Sequence, residues 1–184
     1  MAIPGKEECC YVLEMIESNL IDFSYTHPWA EQVISTLDHV SSWLGDLATK
    51  KYKGDQSRAL REYIFSEPFE PCPDEMEKFH IACLWLRYER RVLSWATFLR
   101  LAGERLDTAN ADWDCETPFH YLNVFEYAYF SRESEEQTKE DYIADHNLRP
   151  WIEMAEKRFE PFKKVRRANK ADAANAQSSR YLQR

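Results

Sequence analysis

Apolar residues recur at three- and four-residue steps in the first third of the chain. Such spacing places them on one face of a helix, which a folded domain buries. It predicts a first helix over about residues 6–23 and a second that begins at Pro28 and ends near Gly54. A shorter helix is expected over 55–65. The two long buried faces would consist of Cys9, Val12, Leu13, Ile16, Leu20 and Phe23, and of Val33, Leu37, Val40, Leu44 and Leu47.

The longest helical pattern follows a proline-rich segment. Three prolines within residues 67–73 exclude a helix there and predict an extended linker. Asp74 and Glu77 then form a pair resembling a capping box, and the pattern continues to Gly103. At 1.5 Å per residue, a helix over 74–103 would be about 45 Å long and would form the centre of a bundle.

Polar and acidic residues interrupt the apolar pattern between 104 and 116. Helices then restart at Pro118 and Pro150, as at Pro28, because proline fits the first helical position. The pattern predicts an all-α fold, an irregular bundle of about five to seven helices around a long central helix (approximately 74–103). We expect one helical domain over residues 1–165 and a basic C-terminal tail over 166–184 that is frayed or disordered.

Composition supports a helical fold with a real core. The chain has only four glycines, whereas sheet folds and phosphate-binding α/β folds need glycine-rich turns and loops. It also has six Trp, ten Tyr and ten Phe, which is unlike the composition of disordered chains. Helices with an aromatic core are therefore favoured.

The cysteines do not form the pattern of a disulfide-rich secreted protein. They are odd in number and irregularly spaced. The N-terminal segment does not resemble a signal peptide, and no apolar run reaches the roughly 18 residues of a membrane span. We therefore expect a cytoplasmic protein without a membrane partner. The five positions are Cys9, Cys10, Cys72, Cys83 and Cys115.

Charge is unevenly distributed along the chain. Residues 161–184 have a net charge of +6, so the preceding 160 residues carry −14 and the whole chain carries −8. Asymmetry of this kind bears on partners rather than on the fold. An acidic body favours a basic protein partner and disfavours nucleic acid.

Candidate metal and catalytic residues are few. Glu77 and His80 form a Glu-x-x-His step like those of carboxylate-bridged di-iron bundles, but those bundles need a second step. Cys72, Cys83 and Cys115 could join His80 in a zinc site, although the close cysteine pairs typical of such sites are missing. We assign no catalytic, cofactor-binding or metal-binding residue, and we expect no cofactor.

The strongest candidate for a binding surface is the acidic segment before the helix at Pro118, together with the aromatic helix that begins there. Its residues would present a negative patch around an aromatic anchor, which suits a basic partner. The alternative is that the acids are ordinary surface residues and that the tryptophan packs into the core. The predicted partner-binding residues are Asp107, Asp112, Trp113, Asp114 and Glu116.

Two functions fit this sequence best, and a third, a nucleic-acid accessory that binds through the basic tail, is less favoured. The favoured one is a non-enzymatic protein-binding and inhibitory protein, of the type of a bacterial immunity protein that neutralises a cognate toxin. Its partner would be a basic toxin or nucleic-acid-acting protein, and homo-oligomers are left open. The alternative is a small helical enzyme, metal-dependent or otherwise, that uses Glu77 and His80 with carboxylates from other helices.

Overall fold

The computed structural model describes residues 3–108 and 113–181, with side chains described as far as residue 169. Within these residues the chain forms nine helices and no strand, and 73% of it is helical. The predicted all-α class is confirmed, with more helices than the five to seven expected. The helices are α1 Lys6–Glu17, α2 Phe23–Ile34, α3 Ser42–Thr49, α4 Lys53–Ile64, α5 Met76–Glu89, α6 Trp95–Thr108, α7 Glu116–Tyr127, α8 Arg132–Asp145 and α9 Arg149–Tyr181.

The predicted long central helix is wrong, because α5 and α6 replace it. Helix α5 ends where the Val92 N–H donates to the Arg87 carbonyl at 2.9 Å and the Arg91 N–H donates to the Tyr88 carbonyl at 2.8 Å. This pair of bonds is a Schellman motif, with Arg91 in the left-handed region at φ 58°. Ser94 Oγ then accepts the Thr97 N–H at 3.2 Å and caps the start of α6.

The predicted second helix is also divided. Helix α2 begins earlier than Pro28, at a cap in which Asp22 Oδ1 accepts the Ser24 N–H at 2.8 Å. It ends at Ile34, α3 follows, and Gly54 lies inside α4 rather than at a helix end. Of the predicted apolar face, Val33, Leu44 and Leu47 are buried, whereas Val40 lies between α2 and α3 and is 48% exposed.

The helices divide into two compact units. Residues 1–17, 21–72 and 157–184 form one, which we call the α1–α4 unit, and residues 18–20 and 73–156 form the other, the α5–α8 unit. Helix α9 contributes its first two turns to the α5–α8 unit and its remainder to the α1–α4 unit.

In the α1–α4 unit, aromatic rings attach the later part of α9. Phe162 stacks on Trp29 at a centroid separation of 4.8 Å, and Phe159 packs on Tyr25 at 5.5 Å. The Arg158 guanidinium lies 3.4 Å from the centroid of the Tyr11 ring. These contacts make the apolar side of α9 part of the core.

A disulfide joins Cys10 in α1 to Cys72, with the two Cα atoms 5.9 Å apart. The irregular cysteine spacing did not predict this pair. The same segment is held by Lys6, a buried lysine whose Nζ donates to the carbonyls of Ser66 and Pro68. The proline-rich linker is therefore fastened to α1 by a covalent bond and by hydrogen bonds.

The core of the α5–α8 unit is largely aromatic. The rings of Trp95 and Phe98 stack at 5.0 Å, and each of them also contacts the rings of Trp85 and Tyr142. Trp95 Nε1 donates to Thr138 Oγ1 at 2.8 Å, which satisfies a buried donor. In the residues that the structure describes, no helix is long and apolar enough to cross a membrane.

Candidate functional site

The predicted acidic patch lies where α6 ends and α7 begins. Asp107 is exposed in the last turn of α6, and Asp114 and Glu116 are exposed at the start of α7. Cys115 Sγ lies 3.9 Å from Asp107 Oδ1, so the two helix ends meet. Asp112 falls outside the described residues.

Asp114 also has a role in the fold. Its Oδ1 accepts the Glu116 N–H at 2.9 Å, and a carboxylate at this place satisfies a free donor and interacts favourably with the positive end of the helix dipole. Partial desolvation and the charges of Asp107 and Asp114 raise the pKa of the Cys115 thiol. The patch therefore disfavours a thiolate nucleophile.

Trp113 is half-buried and engaged within its own unit. Its ring meets the ring of His146 edge-to-face at 4.8 Å, and Lys78 Nζ lies 5.3 Å from its centroid. Burial lowers the pKa of His146, whose Nδ1 lies 3.1 Å from the Tyr142 carbonyl oxygen. Part of the Trp113 ring is thus already used to hold the segment before α7 against α5 and α8.

The far end of α7 presents a second feature, at the end of the aromatic helix that the sequence joined to the acidic segment. Tyr127 and Tyr129 are 88% and 93% exposed, and Phe130 is 54% exposed. The sequence placed these side chains in an aromatic helix beside the acidic segment, but periodicity did not separate the exposed rings from the buried ones. The sequence signal that could have found them is the crowding of aromatics over 125–130, which is more than one buried face can hold.

Helix α7 is mostly a surface helix. Of its twelve residues, only Pro118 and Phe125 are buried. A groove of about 620 Å³ runs between it and α8, with Val124 and Ala128 on one side and Glu133 and Asp141 on the other. Acidic groups, exposed aromatic rings and a concave surface therefore occur together along one helix.

A larger open cleft of about 1020 Å³ lies beside the turn between α5 and α6. Its lining carries both signs of charge, with the cations Arg91, Lys139 and Arg149 and the carboxylates Glu89 and Glu140 among its residues. Arg149 pairs with Glu140 at 3.5 Å, so part of this charge is satisfied internally.

Glu77 and His80, the residues of the enzyme alternative, both lie on α5. Glu77 is half-buried and His80 is buried on α5, while Cys72 is bonded to Cys10. Within the described ranges 3–108 and 113–181, no three His, Cys, Asp or Glu side chains are grouped so that they could hold a metal ion.

The chain matches no protein-family model, no curated protein and no solved structure.

Proposed function

We propose that this protein is a non-enzymatic binding protein that captures and inhibits a basic partner protein through the acidic side of its α5–α8 unit. The observation that carries the proposal is the location of the charge. Residues 73–156 contain 18 acidic and nine basic side chains, a net of −9, whereas the remaining residues have a net charge of +1.

The acidic charge is accessible where α7 begins. Asp107, Asp114 and Glu116 are all exposed, and the contact of Cys115 with Asp107 keeps both helix ends in one patch. Complementary charge steers two proteins together and can raise association rates to about 10⁸ M⁻¹ s⁻¹ at low salt. Fast capture of a basic toxin or nucleic-acid-acting enzyme is what an immunity protein needs.

The decisive experiment compares how the wild type and charge variants capture a partner from the native host and bind that partner once it is purified. Immobilised wild-type protein should retain a basic protein from the native host, and the purified partner should bind with an association rate that falls steeply with salt. The variant D107N/D114N/E116Q should associate at least tenfold more slowly, since three charges are lost. Asp114→Asn keeps an oxygen that can cap α7.

Glu62→Lys provides the matched control. Glu62 is exposed on α4 in the other unit, so its reversal changes the net charge by +2, against +3 for the triple variant, without altering the patch. The control should bind as the wild type does. Retention of no basic protein, or equal binding by the triple variant, would refute the proposal.

We place the encounter in the cytoplasm, on the basis of cysteine number and spacing. The Cys10–Cys72 bond argues in the other direction, since disulfides persist mainly in oxidising compartments. Acid quenching of native cells, followed by denaturation and alkylation of the thiols, distinguishes the two settings. Five reactive thiols after denaturation support the cytoplasm, and three, at Cys9, Cys83 and Cys115, contradict it.

A further inference from the structure

The turn between α7 and α8 has an unusual backbone for its residues. The Phe130 N–H donates to the Phe125 carbonyl at 3.0 Å and the Tyr129 N–H donates to the Glu126 carbonyl at 2.9 Å. These bonds form a Schellman motif in which Tyr129 occupies the position that usually belongs to glycine. Tyr129 and Phe130 lie in the left-handed region at φ 51° and 54°.

A left-handed conformation costs a residue with a Cβ about 1–2 kcal/mol relative to the right-handed one. Two consecutive aromatic residues bear this cost here, and burial does not compensate Tyr129, which is almost fully exposed. The motif ends α7 as the motif at Arg91 ends α5, so the strain alone does not distinguish this turn. What distinguishes it is that two consecutive strained residues are aromatic and exposed, and backbone strain is concentrated at binding and catalytic sites.

A buried phenylalanine supports the exposed aromatic rings of the turn. Phe130 meets Phe125 edge-to-face at 5.1 Å, and Phe125 is buried in the α5–α8 unit. Ala128 and Ser131, which flank the two strained residues, also line the groove between α7 and α8. The aromatic turn therefore adjoins the groove.

Charge around this surface selects the partner. Residues 120–141 contain six acidic and two basic side chains, and Glu133 and Asp141 lie on the wall of the groove opposite Val124. A groove of about 620 Å³ is large enough for a few side chains of a docked segment. Apolar contact with Val124 and Ala128, next to carboxylates, fits an apolar side chain flanked by cations.

We propose that the α7–α8 turn is a docking site for an apolar segment of a partner protein that is flanked by lysine or arginine, with Tyr127, Tyr129 and Phe130 as anchors. Tyrosine is one of the residue types that contribute most to binding at interfaces. The proposal rests on the proposed function for the basic character of the partner. It adds an apolar contact at the opposite end of α7 from the acidic patch.

The test uses labelled peptides and fluorescence anisotropy with the full chain. The probe is a leucine–lysine peptide of about four helical turns. One comparison peptide has alanine for every leucine, and another has glutamine for every lysine. The protein variants are Y127A/Y129G at the turn, D107N/D114N/E116Q at the acidic patch, and Tyr52→Ala, which removes a tyrosine that is 79% exposed in the α1–α4 unit.

The leucine–lysine peptide should bind the wild type and the Tyr52→Ala variant equally, and Y127A/Y129G at least tenfold more weakly. The alanine–lysine peptide should bind weakly and equally to wild type and Y127A/Y129G, and the leucine–glutamine peptide should bind the wild type more weakly than the leucine–lysine peptide does. Because glycine suits the left-handed position, Y127A/Y129G should be no less stable than the wild type, so lost binding cannot come from unfolding.

Unchanged binding of the leucine–lysine peptide by Y127A/Y129G would overturn the docking site and leave the proposed function intact. Equal binding of both lysine peptides by D107N/D114N/E116Q and wild type would instead count against the proposed function. Sedimentation of the wild type with phosphatidylcholine vesicles, lost in Y127A/Y129G, would assign the anchors to lipid and also overturn the docking site.

Discussion

At the scale of single residues, Gly103 shows why a glycine can be needed inside a helix. Its φ is ordinary for a helix, so backbone freedom is not the reason. A methyl group there would lie 2.6 Å from Cζ of Phe119 on α7, well inside van der Waals contact. Gly103 thus permits the close approach of α6 and α7 that places the acidic patch.

Replacement of Gly103 by alanine should therefore lower the free energy of unfolding by about 1–2 kcal/mol, because the Phe119 ring must move. Gly45→Ala is the control, since Gly45 lies inside α3 and a methyl group added there would have no neighbouring atom within 4 Å. That change should raise stability by about 1 kcal/mol through helix propensity. Urea denaturation measures both, and equal effects of the two changes would contradict the packing argument.

His146 predicts a dependence of stability on pH. Burial lowers the pKa of His146 in the folded protein. The negative charges of Asp145 and Asp114 raise it and offset part of this effect. A histidine with a lowered folded pKa binds fewer protons than in the unfolded chain, so stability is lost as pH falls below about 6.5. Denaturation at pH 7.5 and at pH 5.5 should show a smaller loss in His146→Gln than in the wild type.

The control for that measurement is His39→Gln, because His39 is exposed and should leave the wild-type loss unchanged. A loss in His146→Gln equal to that of the wild type would show that other groups cause the acid sensitivity.

At the scale of elements, the break between α5 and α6 is the clearest departure from the sequence prediction. It is formed without glycine, since Arg91 takes the left-handed position and Ser94 caps the next helix. Glycine is common just after the end of a helix, so the sequence predicted the end at Gly103, which instead lies inside α6. The hydrogen bonds of the Schellman motif depend on backbone geometry that could not be predicted from the residue types at this position.

Arg91→Gly should raise the free energy of unfolding by about 1 kcal/mol, because glycine adopts the left-handed conformation without the Cβ penalty. Arg90→Gly is the matched control, since Arg90 has a negative φ of −78° and gains nothing from the exchange. The midpoint temperature of thermal unfolding should rise by several degrees in Arg91→Gly and fall in Arg90→Gly. Loss of stability in Arg91→Gly would mean that the arginine side chain matters more than its backbone.

At the scale of the whole molecule, the acidic charge and the disulfide belong to different units. Most of the acidic excess belongs to the α5–α8 unit, whereas the disulfide and the basic end of α9 belong to the α1–α4 unit. A binding surface and a cross-linked core can therefore be altered independently.

Reduction should weaken the α1–α4 unit. The Cys10–Cys72 bond joins residues 62 positions apart. Closing a loop of that length reduces the conformational entropy of the unfolded chain, which stabilises the folded state by about 4 kcal/mol. C10S/C72S should unfold at a correspondingly lower urea concentration, with no further effect of reductant. Cys115→Ser is the control and should keep the full response to reductant.

The helical class, the aromatic core and the acidic balance of the chain could be predicted from the residues alone. Local spacing and composition contain this information, because amphipathic periodicity and glycine scarcity do not depend on distant residues. The placement of Asp107, Asp114 and Glu116 on an exposed surface also followed from their position between apolar stripes.

The helix ends, the cysteine pairing and the set of exposed aromatic rings depend instead on how the helices pack. The pairing of Cys10 with Cys72 and the meeting of Gly103 with Phe119 join residues far apart in the chain. The exposure of Tyr127 depends on which face of α7 its neighbours cover. Periodicity shows that a face is apolar, but whether another element covers that face is a property of the packed fold.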